Sequence, residues 1–292
     1  MKKIITLSIV LGITLVSFGQ QIPKFTAVQA NPYLINPAYA GFKDSTKFFL
    51  HYRNEMLGVR GGPNSALVSI DGHFKESNVG LGLNAFKDRV NIIDRDGFNL
   101  SYSYKLKMVN NQKLIFGLSA GAVHNSIAMS QIVAENPNEL MMFNNYKPTT
   151  GFNADLGLVY GIQNLEVGFS VANLLNRSTF GKNDFSFEQK QTYFISGMYH
   201  FNITTELISR TSVVFRGSQG MPMRFDANAV VSYKDKMWAG FTYGLNSNAG
   251  ISAGVNYENF SFGYIYEYPI SSLHLASGGS NEIFIGYTIP NR

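Results

Sequence analysis

From residue 47 onward, apolar residues alternate with small or polar ones in segments about ten residues long, the length a tilted strand needs to cross a bilayer. The pattern is sharpest near the C-terminus. Ile251, Ala253, Val255 and Tyr257 share one face, and Ser252, Gly254 and Asn256 the other. Phe260, Phe262, Tyr264 and Tyr266 alternate with Ser261, Gly263 and Glu267, with Ile265 out of pattern. Leu165, Val167, Phe169 and Val171 alternate in the same way with Glu166, Gly168 and Ser170. A period of two marks a strand with one apolar face, and scattered glycines among aromatic and β-branched residues disfavour helix. Fourteen strands are predicted, at residues 47–53, 65–74, 79–88, 97–108, 113–125, 151–161, 165–173, 190–201, 205–216, 223–233, 237–244, 248–257, 260–267 and 281–289.

The connections obey a two-sided rule. Six are short, at 75–78, 109–112, 162–164, 202–204, 234–236 and 258–259. Those between them are longer, at 54–64, 89–96, 126–150, 174–189, 217–222 and 268–280, with 245–247 the exception. A soluble sandwich has no reason to follow such a rhythm. It is that of an all-β transmembrane antiparallel β-barrel of about fourteen strands, with short periplasmic turns and longer extracellular loops. An even strand count places both termini on the periplasmic side. Only closure satisfies every strand edge in lipid.

Residues 1–19 carry Lys2 and Lys3, an apolar run from Ile4 to Phe18, and small residues at Ser17 and Gly19 ahead of Gln20. These are the parts of a secretory signal peptide. The chain therefore divides into a signal peptide (1–19), a periplasmic N-terminal segment (20–46) and the barrel (47–292), with the outer membrane as destination. Composition agrees. Charged residues are 15%, against roughly 25% in soluble domains, and aromatic residues are 14%. Removing Lys2 and Lys3 takes the net charge from +5 to +3, and no basic cluster speaks for nucleic acid. The absence of cysteine excludes disulfides, thiolate metal sites, Cys nucleophiles and lipoprotein acylation.

Candidate chemistry is sparse. The histidines at 51, 73, 124, 200 and 274 share no metal-ligand spacing, so no metal site and no cofactor is expected. Gly278-Gly279-Ser280 lacks the Lys and helix of a phosphate loop and reads as a flexible loop. Asp94, Arg95 and Asp96 read as a solvated outside turn rather than a calcium site. Lumen-facing Glu166, Glu267 and Arg53 need partners inside the barrel. Two Asn-Pro pairs between Asn31 and Gly41 resist helix. They fit either an irregular entry to strand one or a plug or docking segment in or under the lumen.

Several stretches resemble the PorP/SprF family of type IX secretion membrane proteins of Bacteroidetes. Asn36-Pro37-Ala38-Tyr39-Ala40-Gly41 resembles the family's opening Asn-Pro-Ala-x-Ala-Gly signature. His51-Tyr52-Arg53-Asn54-Glu55-Met56 stands where the family has an Arg-Gln-Gln-Trp-like stretch, with Met56 in place of the aromatic. Gly61-Gly62-Pro63-Asn64-Ser65 and Val79-Gly80-Leu81-Gly82 continue the match. Tyr266-Glu267-Tyr268 and Gly278-Gly279-Ser280-Asn281-Glu282-Ile283 resemble its Tyr-Asp-Tyr and Gly-Ser-His-Glu-Ile blocks, with Asn281 for His. The resemblance implies a non-enzymatic barrel. It would support export or surface anchoring of an adhesin-like partner with a type B C-terminal sorting domain, as in gliding motility. It also implies association with periplasmic secretion or gliding components.

Two other functions stay open at this stage: a diffusion porin, and an outer-membrane lipid hydrolase, for which no nucleophile elbow is assigned. For partner binding, the expected surface is loop 126–150, with Met141, Met142, Phe143 and Tyr146, joined by Phe180, Phe185 and Leu273 in other long loops. Met and aromatic side chains are adaptable and adhesive. The same loop 126–150 fits equally a fold inward over the barrel mouth.

Overall fold

The structure is a computed structural model that describes residues 24–43, 45–74, 77–128, 148–175, 178–180 and 190–290. One half of the barrel is built from β1 (Ser45–Asn54), β2 (Asn64–His73), β3 (Val79–Val90), β4 (Ile93–Lys107), β5 (Gln112–Ile127), β6 (Thr149–Ile162) and β7 (Leu165–Ala172). The other half is β9 (Thr192–Asn202), β10 (Leu207–Ser218), β11 (Arg224–Tyr233), β12 (Met237–Gly244), β13 (Asn248–Tyr257), β14 (Phe260–Pro269) and β15 (Ser280–Pro290). Each pairs antiparallel with its neighbour in this order, and β1 pairs with β15, so fourteen strands close a ring. A three-residue strand, β8 (Ser178–Phe180), lies beside the start of β6 and outside that ring.

Burial is inverted relative to a water-soluble protein. Leu100, Phe152 and Ile251 are 58%, 55% and 65% exposed, whereas His51, Ser69, Ser232 and Glu282 are fully buried. The strands carry this inversion in their parity. In β1, Phe48, Leu50 and Tyr52 face out, and Phe49, His51 and Arg53 face in. An outer surface of Leu, Ile, Val, Phe and Tyr around a polar interior is what lipid outside and polar contacts inside require. Among the described residues no helix is long and apolar enough to cross a membrane. Leu50 sits midway along β1 on the outer face. Leu50→Arg is expected to cost about 2–4 kcal/mol, the depth-dependent penalty of a cation in mid-bilayer. Denaturant-dependent refolding into bilayers measures it; a loss near zero would mean that this face does not meet lipid.

The strand boundaries depart from the expected ones mainly at residues 89–96. No long loop forms there: β3 runs to Val90, β4 starts at Ile93, and only Asn91 and Ile92 turn the chain. The polar residues that resemble a loop in sequence form cross-strand ion pairs instead. Arg89 Nε lies 2.5 Å from Asp94 Oδ1, and Lys87 Nζ 3.7 Å from Asp96 Oδ1. Ile265, out of pattern in sequence, points inward and packs with Ala27, Phe49 and Phe284 in an apolar cluster inside the lumen.

Candidate functional site

The lumen is occupied by the chain's own N-terminal segment. The order of contacts shows the path. Lys24 Nζ lies 3.3 Å from Glu267 Oε1 and 3.6 Å from Asp226 Oδ1, at the long-loop ends of β14 and β11. Gln29 Nε2 donates to Arg210 O, Ser212 Oγ and Asn228 O, partway down β10 and β11. Asn31 Nδ2 donates to Ser69 Oγ at 2.9 Å, and Tyr33 Oη to Ser101 Oγ at 2.7 Å. Further along, Ser103 Oγ donates to Ala40 O, the Gly41 N–H to Asp71 Oδ2, and Lys105 Nζ to Phe42 O, all toward the short-turn end. The segment therefore enters at the long-loop end and leaves at the short-turn end, where β1 begins.

Of the two readings the sequence leaves open, the structure places 24–42 inside the lumen. The expectation that both termini lie on the short-turn side falls on residues outside those described. The start of β1 and the end of β15 do lie there. Residue 24 lies at the opposite end, because Lys24 is drawn to the carboxylates of Glu267 and Asp226.

Local chemistry explains the Asn-Pro pairs. Pro32 and Pro37 open short 3-10 turns, where a fixed φ and a missing N–H do no harm. Asn36 caps the second turn by accepting from the Ala38 N–H at 2.9 Å. Its Nδ2 donates to Leu158 O and Phe169 O on β6 and β7, so one side chain holds the turn and fastens it to the wall. Pro37 and Ala38 press on Gly117 and Gly157, where any Cβ would collide with them or with Asn36 Oδ1. Gly41 turns the chain at φ +62°, with its missing Cβ against Gly72 and Gly80. Every family-like residue from Asn36 to Gly41 thus serves close packing of the segment on the barrel wall.

A latch of buried charges closes the other end. Arg53 of β1 and Glu282 of β15 face each other across the strand pair that completes the ring. Arg53 Nη2 lies 2.5 Å from Glu267 Oε2, Nη1 lies 3.4 Å from Glu282 Oε2, and Nε lies 2.9 Å from Glu55 Oε1. Glu282 accepts from the backbone N–H groups of Thr26, at 2.6 Å, and Ala27, at 3.3 Å. Thr26 Oγ1 donates to Glu267 Oε2 at 2.9 Å and accepts from Arg53 Nη1 at 3.0 Å. Asn248 Nδ2 also donates to Glu267. Arginine suits this place because its planar fork serves several carboxylates at once. Glu267 and Arg53, expected to need partners, find each other; Glu166 lies apart, near Tyr39. The second family-like block also has its use. The Gly278 N–H donates to Leu57 O and the Leu57 N–H to Gly279 O, both at 2.8 Å, and Ser280 begins β15. The block joins two long-side loops directly above the latch and is not the free loop read from sequence.

The expected partner-binding residues fare differently. Met141, Met142, Phe143, Tyr146 and Phe185 lie outside the described residues. Phe180 belongs to β8 and Leu273 to a 3-10 turn (Ser272–Leu275), with side chains outside the described set. A Gly-x-Ser-x-Gly spacing does occur, twice, at Gly117-Leu118-Ser119-Ala120-Gly121 and at Gly250-Ile251-Ser252-Ala253-Gly254. They lie within β5 and β13, each paired on both sides, and not on the strand-to-helix turn of a nucleophile elbow. Ser119 Oγ is 2.6 Å from Ser101 Oγ and hydrogen-bonds to no histidine. Among the described residues no cluster of His, Asp or Glu is arranged to hold a metal.

Similarity to known proteins agrees with this geometry. The structure resembles a TodX monoaromatic hydrocarbon channel mutant (TM-score 0.54, 11% identity, covering 92% of this chain and 95% of that one). It resembles the CymD monoaromatic hydrocarbon channel equally (TM-score 0.54, 13% identity, 94% and 95%). At such identity the likeness is one of fold. No curated protein matches the chain in sequence. The family model described as "Type IX secretion system membrane protein PorP/SprF" matches residues 17–287.

Proposed function

The chain belongs to the PorP/SprF family of type IX secretion system membrane proteins, non-enzymatic barrels of the outer membrane; from that premise we propose that it is a plugged barrel that holds a secreted partner at the cell surface. The single observation that supports this most is the N-terminal segment threaded through the lumen. A diffusion porin works through an open constriction, whereas here residues 24–42 run the length of the interior and are hydrogen-bonded to β2, β4, β6, β7, β10 and β11. Export would begin with the signal peptide of residues 1–19. The short turns would face the periplasm and the long loops the medium, as in other outer-membrane barrels. The partner is a surface protein of adhesin type with a type B sorting domain, and the barrel supports its export or its anchoring, as in gliding. Periplasmic secretion or gliding components would meet the short-turn face.

The partner surface lies on the long loops, chiefly 126–150 and 174–189. Loops of such length are usually functional. A barrel lacking 129–147 still has both strand ends, β5 to Ile127 and β6 from Thr149, to pair. Its cells are expected to release the partner into the medium, read by immunoblot of medium against cell fractions. Unchanged surface retention with a correctly assembled barrel rejects this surface. Within it, Phe180→Ala, Phe185→Ala or Leu273→Ala is expected to release the partner partially, as loss of anchor side chains does.

A further inference from the structure

Below the latch, on the short-turn side, the lumen is not full. A cavity of about 460 Å³ lies between the N-terminal segment and the inner faces of β10 to β15 and β1. Its inner end is apolar and aromatic. Trp238 stacks on Phe284 at 6.0 Å, Phe284 meets Phe49 at 6.2 Å, and Ile265 joins them. Its wall toward the mouth is a series of small polar side chains, among them Ser252, Asn256, Ser261 and Thr288. At the mouth stand Lys43, Lys47, His200 and Arg210, with Asp235 and Glu258 on the adjoining turns. Arg210 pairs with Asp235 at 2.7 Å. Lys43 and Lys47 form no close ion pair among the described residues, although Asp71, across the strand pair from Lys47, and Glu166 border an adjoining space with both.

We propose that this vestibule is a binding site for a short acidic peptide segment bearing an aromatic or large aliphatic side chain. Three features select that ligand. Two lysines at the entrance, neither closed into an ion pair by a neighbouring carboxylate, favour carboxylates. The aromatic end, ringed by Trp238, Phe284 and Phe49, takes an apolar side chain. The polar wall between them offers hydrogen bonds that a peptide backbone uses and an acyl chain does not. The volume lies within the roughly 300–1,000 Å³ of ligand pockets. On the orientation proposed above, on which this assignment of the source rests, the occupant is a segment of a protein on the periplasmic side.

Trp238 is the only tryptophan of the chain, so it reports on the site directly. The full barrel, purified in detergent, is titrated with the peptide acetyl-Asp-Phe-Asp-Leu while Trp238 emission is followed. A saturable change is expected, weakened by salt, and absent with the Lys-Phe-Lys-Leu counterpart. Lys43→Gln/Lys47→Gln, shown to be folded by its heat-modifiable migration on gels, is expected to raise Kd about tenfold. No saturable change, equal response to acidic and basic peptides, or an unaltered Kd in the double variant would each overturn the proposal. Surface retention of the secreted partner is a separate readout at the other end of the barrel, so the two readings fail independently.

Discussion

Glu282→Ala is expected to destabilise the barrel by about 3–5 kcal/mol, the usual result of removing one partner of a buried ion pair. Glu282 is fully buried and holds the Arg53 guanidinium together with the backbone N–H groups of Thr26 and Ala27. Alanine leaves those two donors without an acceptor and Arg53, itself 2% exposed, with one buried carboxylate fewer. The loss falls on the β1–β15 seam and on the start of the lumenal segment together, because Glu282 touches both. Denaturant titration in detergent measures the stability. Labelling of a single cysteine placed at Ala27, now buried, measures release of the segment. Glu282→Gln keeps the shape and one acceptor oxygen, so its loss should be smaller. A Glu282→Ala barrel as stable as the parent, with position 27 still protected, would show that the latch holds nothing.

Deleting residues 24–42 is expected to have the largest functional effect: a barrel that conducts. The fourteen strands pair among themselves through backbone bonds that the segment does not supply, so the ring should still form. The segment contributes an apolar cluster of its own, with Val28, Tyr33, Ile35, Ala38, Tyr39, Ala40 and Phe42 packed on Ile115, Val159, Phe194, Met198 and Val214. Its removal exposes those wall residues to water and lowers stability, but it also empties the lumen. In planar bilayers the deletion variant is expected to show steady single-channel steps, and the intact protein none of that size. Equal conductance in the two would mean that the segment does not obstruct the pore.

How much of this was legible in the sequence differs by kind of interaction. Strands were legible because lipid imposes a period of two on each one separately: Phe260, Phe262 and Tyr264 reveal their face without knowledge of any neighbour. The failure at 89–96 has the opposite cause. Beyond the membrane a hairpin continues in water, and Arg89 and Asp94 look like loop residues until they are seen across from one another. Ile265 seemed out of place for the same reason, since its apolar partner Ala27 comes from the segment inside the barrel. The Asn-Pro pairs declared a non-helical backbone but not its location. Only the facing glycines, Gly117 and Gly157, distant in sequence, show that the wall is shaped to receive Pro37 and Ala38. Glu282 was singled out by resemblance alone and Arg53 also by its place on the lumenal face, and what they do became visible only at the seam where the ends of the barrel meet.

The central claim, that this barrel holds a secreted protein, is tested most directly by affinity purification of the tagged protein from its native outer membrane, with mass-spectrometric identification of what accompanies it. The account predicts a surface protein with a type B C-terminal sorting domain in near-stoichiometric amount, lost from the cell surface when the barrel gene is deleted. A barrel that purifies alone from intact membranes, in cells whose surface proteins are unchanged by its deletion, would contradict it.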